Sequence, residues 1–228
     1  MKSTTTARLT GAAYLALAVT GAIGFLVIRS ALVVEGDATA TLQNLTDQSA
    51  LARGGVALEL LIVITQALAA WGFYALFHRD QPVAAFGVAA FGMANAMAIL
   101  TSAIAMSTAL AVIAEPSGDP AAAVGILYGL SSASWTVGGI FFGLWLIPMG
   151  WFVLATRRMP RPLGWLLVAG GVGYVVGTLT SVVAPALTAI ADLLPLFATV
   201  GELWMIGYLL IRGIRPSSTG SLHSPASL

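Results

Sequence analysis

Cysteine is absent from the chain, which rules out disulfides, thiolate nucleophiles and cysteine-ligated zinc or iron–sulfur centres. Histidine is almost absent: only His78 and His223 occur, one beside Arg79 at the edge of an apolar run and the other in a polar tail. Both positions predict solvated side chains. Without a histidine inside an apolar run, neither a serine–histidine dyad nor a histidine metal site can be assembled. No G-x-x-x-x-G-K-[ST] phosphate loop is present. Charge is scarce too, at 8% of residues against about 25% in an ordinary soluble domain. Ten basic and nine acidic residues cannot coat a 228-residue globule in water, so a bilayer must cover it. The net charge of +1 and the lack of a long basic run leave no basis for a nucleic-acid partner.

What the chain has is hydrocarbon: 58% of its residues are hydrophobic. A helix rising 1.5 Å per residue crosses the roughly 30 Å hydrocarbon core in about 20 residues. Six segments meet that length, approximately 9–33, 54–77, 83–113, 124–155, 162–184 and 193–211. Backbone groups in lipid must bond within their own segment, so long unbroken apolar runs predict helices. The short alternating strands of a barrel do not occur. Lys2 and Arg8 ahead of Leu9–Ile28 resemble a signal peptide, but twenty residues without a charge exceed the usual apolar region of about 7–15 and no small-residue cleavage site follows. An uncleaved first span is expected. The expected fold is therefore an all-α, polytopic membrane helix bundle: one domain over 1–215 with six transmembrane helices, followed by a disordered cytoplasmic tail over 216–228 rich in Ser, Pro and Gly.

The basic residues orient the bundle. With the N-terminus inside, Lys2, Arg8, Arg79, Arg157, Arg158, Arg161, Arg212 and Arg215 fall on the cytoplasmic side and only Arg29 and Arg53 on the other. This positive-inside bias predicts both termini in the cytoplasm. Tyr14, Trp71, Tyr74, Trp151, Trp165 and Tyr208 are expected to form an interfacial aromatic belt at that edge. In the first outer loop, "EGDATATLQNLTDQSALARGG", Asp37 reads as the N-cap of a short helix carrying Ala38, Leu42 and Leu45. Asp119-Pro120 is a cap followed by a first turn for the fourth span, and Pro148 should kink that span near its inner end.

Three ionisable residues fall inside apolar runs, where each costs at least about 2.5 kcal/mol on insertion scales and so marks a functional hypothesis. Glu202 lies midway between Asp192 and Arg212, near the membrane midplane. Glu59 follows Arg53 by six residues, on the order of 9 Å below the outer edge. Arg29 closes the first span at that edge, within reach of neutralising Glu59, with Glu202 about one turn deeper. Gln66 stands seven residues after Glu59 and Asn95 seven before Ser102, which places each pair on one helix face. Glu202, Glu59, Arg29, Gln66 and Asn95 are thus the candidates for a ligand or proton site. Ser131, Ser132 and Ser134 read as packing or hydrogen-bonding residues. No residue is assigned as catalytic, metal-binding or cofactor-binding. Gly139/Gly143 and Gly173/Gly177 form two GxxxG pairs, suited to bundle packing or to a homo-oligomer contact.

Three stretches carry a resemblance: "ALVVEGDATATLQNL", "GLWLIPMGWFVLATRRMPRPLGWLLVAGGVGYVVGTL" and "GELWMIGYLLIRGI". Their order, the G-x-W-L-x-P-x-G motif before a basic turn, the Pro-x-x-Leu-Gly and the late Gly-Glu resemble the bacterial membrane family named domain of unknown function 4386. The likeness runs over roughly residues 5 to 215 and places Glu202 and Asp37 on its pattern positions. It implies a helical membrane fold, a bacterial-type cytoplasmic (inner) membrane location and no particular activity. The expected function is a non-enzymatic interaction or small-ligand module in the membrane, with a partly polar interior holding a small hydrophobic or lipid ligand. A small proton- or cation-coupled transporter using Glu202 and Glu59 is the alternative, and carboxylate acid/base chemistry in an intramembrane enzyme the third.

Overall fold

The computed structural model describes residues 3–116, 118–187, 193 and 196–215. Lys2, Asp192 and the tail expected over 216–228, with His223, lie outside the described residues. Every regular element described is helical. Helix α1 is regular over Ser3–Ala22, continues through a π-helical stretch Ile23–Arg29 and ends in the turn Ser30–Leu32. Short α2 (Ala38–Asp47) starts where the sequence predicts, since the Asp37 side chain accepts from the Ala40 amide at 2.8 Å. Then follow α3 (Ser49–Phe77), α4 (Pro82–Ala114), α5 (Pro120–Thr156), α6 (Arg161–Val183) and α7 (Leu196–Ile211). Asp119 caps α5 through the amides of Ala121 and Ala122 at 3.0 and 3.1 Å, one residue before Pro120 presets the first turn.

Each long helix packs on the next, and α1 closes the circle against α7. The result is a ring of six antiparallel helices, with the start of α1 beside the chain that leaves α7: Gly213 lies against Ala7 and Thr4. Both described ends of the chain thus emerge at one end of the bundle, here the terminal end. Glycine allows the close approaches between α5, α6 and α7: a Cβ on Gly170 would lie 2.4 Å from the Cα of Ala198 in α7. A Cβ on Gly143 would lie 2.5 Å from the carbonyl oxygen of Gly171, and one on Gly150 2.6 Å from that of Gly164, so α5 and α6 touch backbone to backbone. Gly139 faces Thr178 of α6 in the same register, so the Gly139/Gly143 face packs within the chain.

Two layers of core fill the ring. Toward the terminal end Tyr14, Phe73, Phe77, Trp145 and Phe152 form an aromatic plug, with Phe77 and Phe152 stacked at 3.6 Å. At the far end α2 lies across the bundle and buries Leu45 against Leu32, Ala52, Met106, Val124 and Tyr128. Helices of 33 and 37 residues are longer than a bilayer needs, and their surplus forms the α4–α5 hairpin on which α2 rests.

Five helices are long and apolar enough to cross a membrane. The sixth, α7, has 16 residues, about 24 Å of rise, below the length that its expected bounds of 193–211 implied. The aromatic belt also needs correction. Trp71, Trp151 and Trp165 are more than half exposed on the outside of the ring, as a belt requires, whereas Tyr14 and Tyr208 are 1% and 6% exposed and belong to the core. Tyr14 has hydrogen-bonding work inside, and the Tyr208 hydroxyl donates to the Arg158 carbonyl at 3.4 Å.

Candidate functional site

The interior polar groups fall at two levels. At the far end Glu59, 6% exposed, accepts from the Ser102 hydroxyl at 2.9 Å and from the Trp135 indole N–H at 3.0 Å, both at Oε1. The Ser102 and Ser131 hydroxyls are 2.7 Å apart, and Ser131 accepts in turn from Nη1 of Arg29 at 2.9 Å. Nη2 of Arg29 donates to Ser132 at 2.5 Å. Four helices meet here: α1 brings Arg29, α3 Glu59, α4 Ser102, and α5 Ser131, Ser132 and Trp135. The expected neutralisation of Glu59 by Arg29 takes an indirect form. No ion pair within 4.0 Å joins them among the described residues, and two serines stand between. Both side chains line a cavity of ≈ 20 Å³, room for one water, as does Tyr128, and Glu59 Oε2 and the Tyr128 hydroxyl are buried without a partner.

Below it opens a chamber of ≈ 360 Å³ to which all six ring helices contribute. Its walls are mainly apolar, among them Leu17, Ile62, Ile99, Phe142 and Ile206, and its polar edge is Glu202, Tyr14, Tyr174 and Thr199. The Tyr14 hydroxyl donates to Glu202 Oε1. No second donor reaches that carboxylate among the described residues. Tyr14 and Arg29 are fifteen positions apart on α1, roughly 20 Å along its axis, so Glu202 is farther from Arg29 than the single turn expected. Trp135 and Ile62 line both spaces and form the partition between them.

The structure therefore brings Arg29 and Glu59 to one site and puts Glu202 in another. Gln66 and Asn95 line neither space. Gln66 is fully buried near Gly92 and Trp145 with neither amide atom bonded, and Asn95, 4% exposed, has an unpartnered Nδ2. At the terminal end Arg158 pairs with Asp80. No three His, Asp or Glu side chains come together as metal ligands among the described residues.

Trp135, Tyr128 and Tyr14 escaped the sequence reading as site residues. A tryptophan or tyrosine in an apolar run is written the same way whether its polar atom meets a carboxylate or a headgroup. One signal was available for Tyr14: it stands seven residues before Gly21, which stands seven before Ile28, one stripe of α1 that leads into the small cavity. For the serines the expectation of a hydrogen-bonding role describes what Ser131 and Ser132 do; their acceptor geometry toward Arg29 depends on tertiary contacts.

The family model described as "Domain of unknown function (DUF4386)" matches residues 9–213, and the chain belongs to that family. No curated protein and no solved structure matches the chain.

Proposed function

We propose that this family member crosses a bacterial cytoplasmic membrane six times, with both termini inside, and acts as a non-enzymatic module that holds a small, largely apolar ligand in the Glu202 chamber. One observation carries the reading: the ≈ 360 Å³ chamber walled by all six ring helices, with hydrogen-bonding groups on one side only. Ligand sites have this form, a concave apolar enclosure of about 300–1,000 Å³ with a few convergent polar groups. The family match and the five long apolar helices support membrane insertion. For the sixth crossing, the surroundings of α7 argue: it completes the ring between α6 and α1, and Leu196, Phe197, Val200, Leu203 and Ile211 face outward. The basic residues near the terminal end argue for that end being cytoplasmic. Against an enzyme stands the residue inventory: a carboxylate, tyrosines and Thr199 line the chamber, and among the described residues no base adjoins that hydroxyl to activate it.

The test is direct. Mass spectrometry of the protein purified from its native membrane should release a bound small molecule, and Gly21→Phe should lose it. Gly21 lines the chamber and a Cβ there meets nothing within 4 Å, so the larger side chain fills the space without a backbone clash. An empty wild-type protein, or equal yield from the variant, would reject the reading.

Transport is the second reading, favoured by the stacking of two spaces along α1 that share Trp135 and Ile62, each with a carboxylate. Proton- or cation-dependent solute flux in proteoliposomes, lost in Glu202→Gln, would establish it.

A further inference from the structure

The chamber has a chemical bias as well as a size. Among the described residues its lining contains one carboxylate, Glu202, and no lysine, arginine or histidine. Tyr14 satisfies one carboxylate oxygen, and among the described residues neither a second donor nor a basic partner serves the other. Of the basic residues of α1, Arg8 stands six positions before Tyr14, roughly 9 Å toward the terminal end, and Arg29 fifteen after it, roughly 20 Å along the axis and beyond Trp135; neither lines the chamber. A carboxylate in an apolar enclosure is costly unless positive charge opposes it. Aromatic rings attract cations in addition, and Tyr14, Trp135, Phe142 and Tyr174 line this chamber. A bare metal ion fits poorly here. It asks for several converging oxygens, whereas most of this wall is hydrocarbon and its volume far exceeds one ion.

We propose, on the premise that the chamber is a ligand site, that its occupant is a hydrophobic organic cation: an amine or quaternary ammonium whose charge faces Glu202 and whose apolar body lies against Leu17, Ile62 and Ile99. Arg29 and Glu59 belong to a separate space and take no part in the recognition.

The experiment compares two probes of nearly equal shape on the full chain in nanodiscs of uncharged phosphatidylcholine: benzyltrimethylammonium and its carbon isostere neopentylbenzene, with partition into empty nanodiscs subtracted. The cation is expected to bind at least tenfold more tightly. Glu202→Gln, which keeps an acceptor for Tyr14, should reduce that preference to near unity, and Gly21→Phe should abolish binding of both. Equal affinity of the two probes for wild-type protein, lost in Gly21→Phe, would overturn the cation and leave the chamber standing. A preference that survives Glu202→Gln would overturn the assignment to this carboxylate. Binding of neither probe would overturn both.

Discussion

Glu59 and Glu202 are the same side chain in opposite settings. Glu59 is held by a serine and an indole, linked through a second serine to Arg29, and faces a space for about one water. Glu202 has one tyrosine and faces a chamber some eighteen times larger by volume, ≈ 360 against ≈ 20 Å³. In a low-dielectric interior a hydrogen-bonded network that joins four helices fixes them in place, and here it runs through Oε1 of Glu59, while Oε2 is buried without a partner. A carboxylate with few partners and open space does little for the fold and keeps its bonding capacity for something else. On the proposed reading, the contrast separates a tie between helices from a site of recognition, two roles that an acidic residue in an apolar run has equal title to.

The contrast has measurable edges. Glu59→Ala should be the most damaging change, costing about 3 kcal/mol, because it strands the Trp135 indole and the serine pair inside the bundle. Thermal or denaturant unfolding in detergent reads this, and a loss below about 0.5 kcal/mol would end the claim that Glu59 ties helices. Trp135→Phe removes one donor from the same carboxylate and trims the partition between the two spaces. About 1.5 kcal/mol of destabilisation is expected, with looser retention of any chamber ligand as a second readout. Ser102→Ala should cost about 1 kcal/mol without changing ligand retention; a large effect on retention would show that the two spaces act as one. Smallest should be Glu202→Gln, within about 0.5 kcal/mol of wild type since the amide oxygen still accepts from Tyr14. Stability falling as far as in Glu59→Ala would erase the distinction.

Much of the fold could be read from the letters because bilayer length and capping are local. Asp37 and Asp119 cap the helices they precede, and the apolar runs end within a few residues of Phe77, Ala114, Thr156 and Val183. The ring closure of α1 on α7 is a tertiary fact with no local mark. The site divides in the same way. Glu59, Arg29 and Glu202 stand out because charge in an apolar run is conspicuous. Their partners Ser102, Ser131, Trp135 and Tyr14 are ordinary membrane-helix residues, and only the packing of four helices at one level reveals which of them meet a carboxylate. Gln66 and Asn95 share faces with Glu59 and Ser102, yet α3 and α4 carry them away from both cavities, since a helix face that is buried need not be one that borders a space.

The π-helical stretch Ile23–Arg29 gives α1 two angular settings on a single rod. Before it, Tyr14 is aimed at Glu202; after it, Arg29 is aimed at the serines of α5. Each residue of α-helix turns the chain by roughly 100°, and the wider i→i+5 turn takes about one more residue for the same sweep. Winding all seven residues Ile23–Arg29 as regular helix would therefore swing Arg29 off Ser131 and Ser132, whereas deleting one of them would let regular helix keep both ends in place. The wider turn works as a splice between two phases of the helix. It takes up one extra residue of chain while Tyr14 at one end and Arg29 at the other stay aimed at their partners.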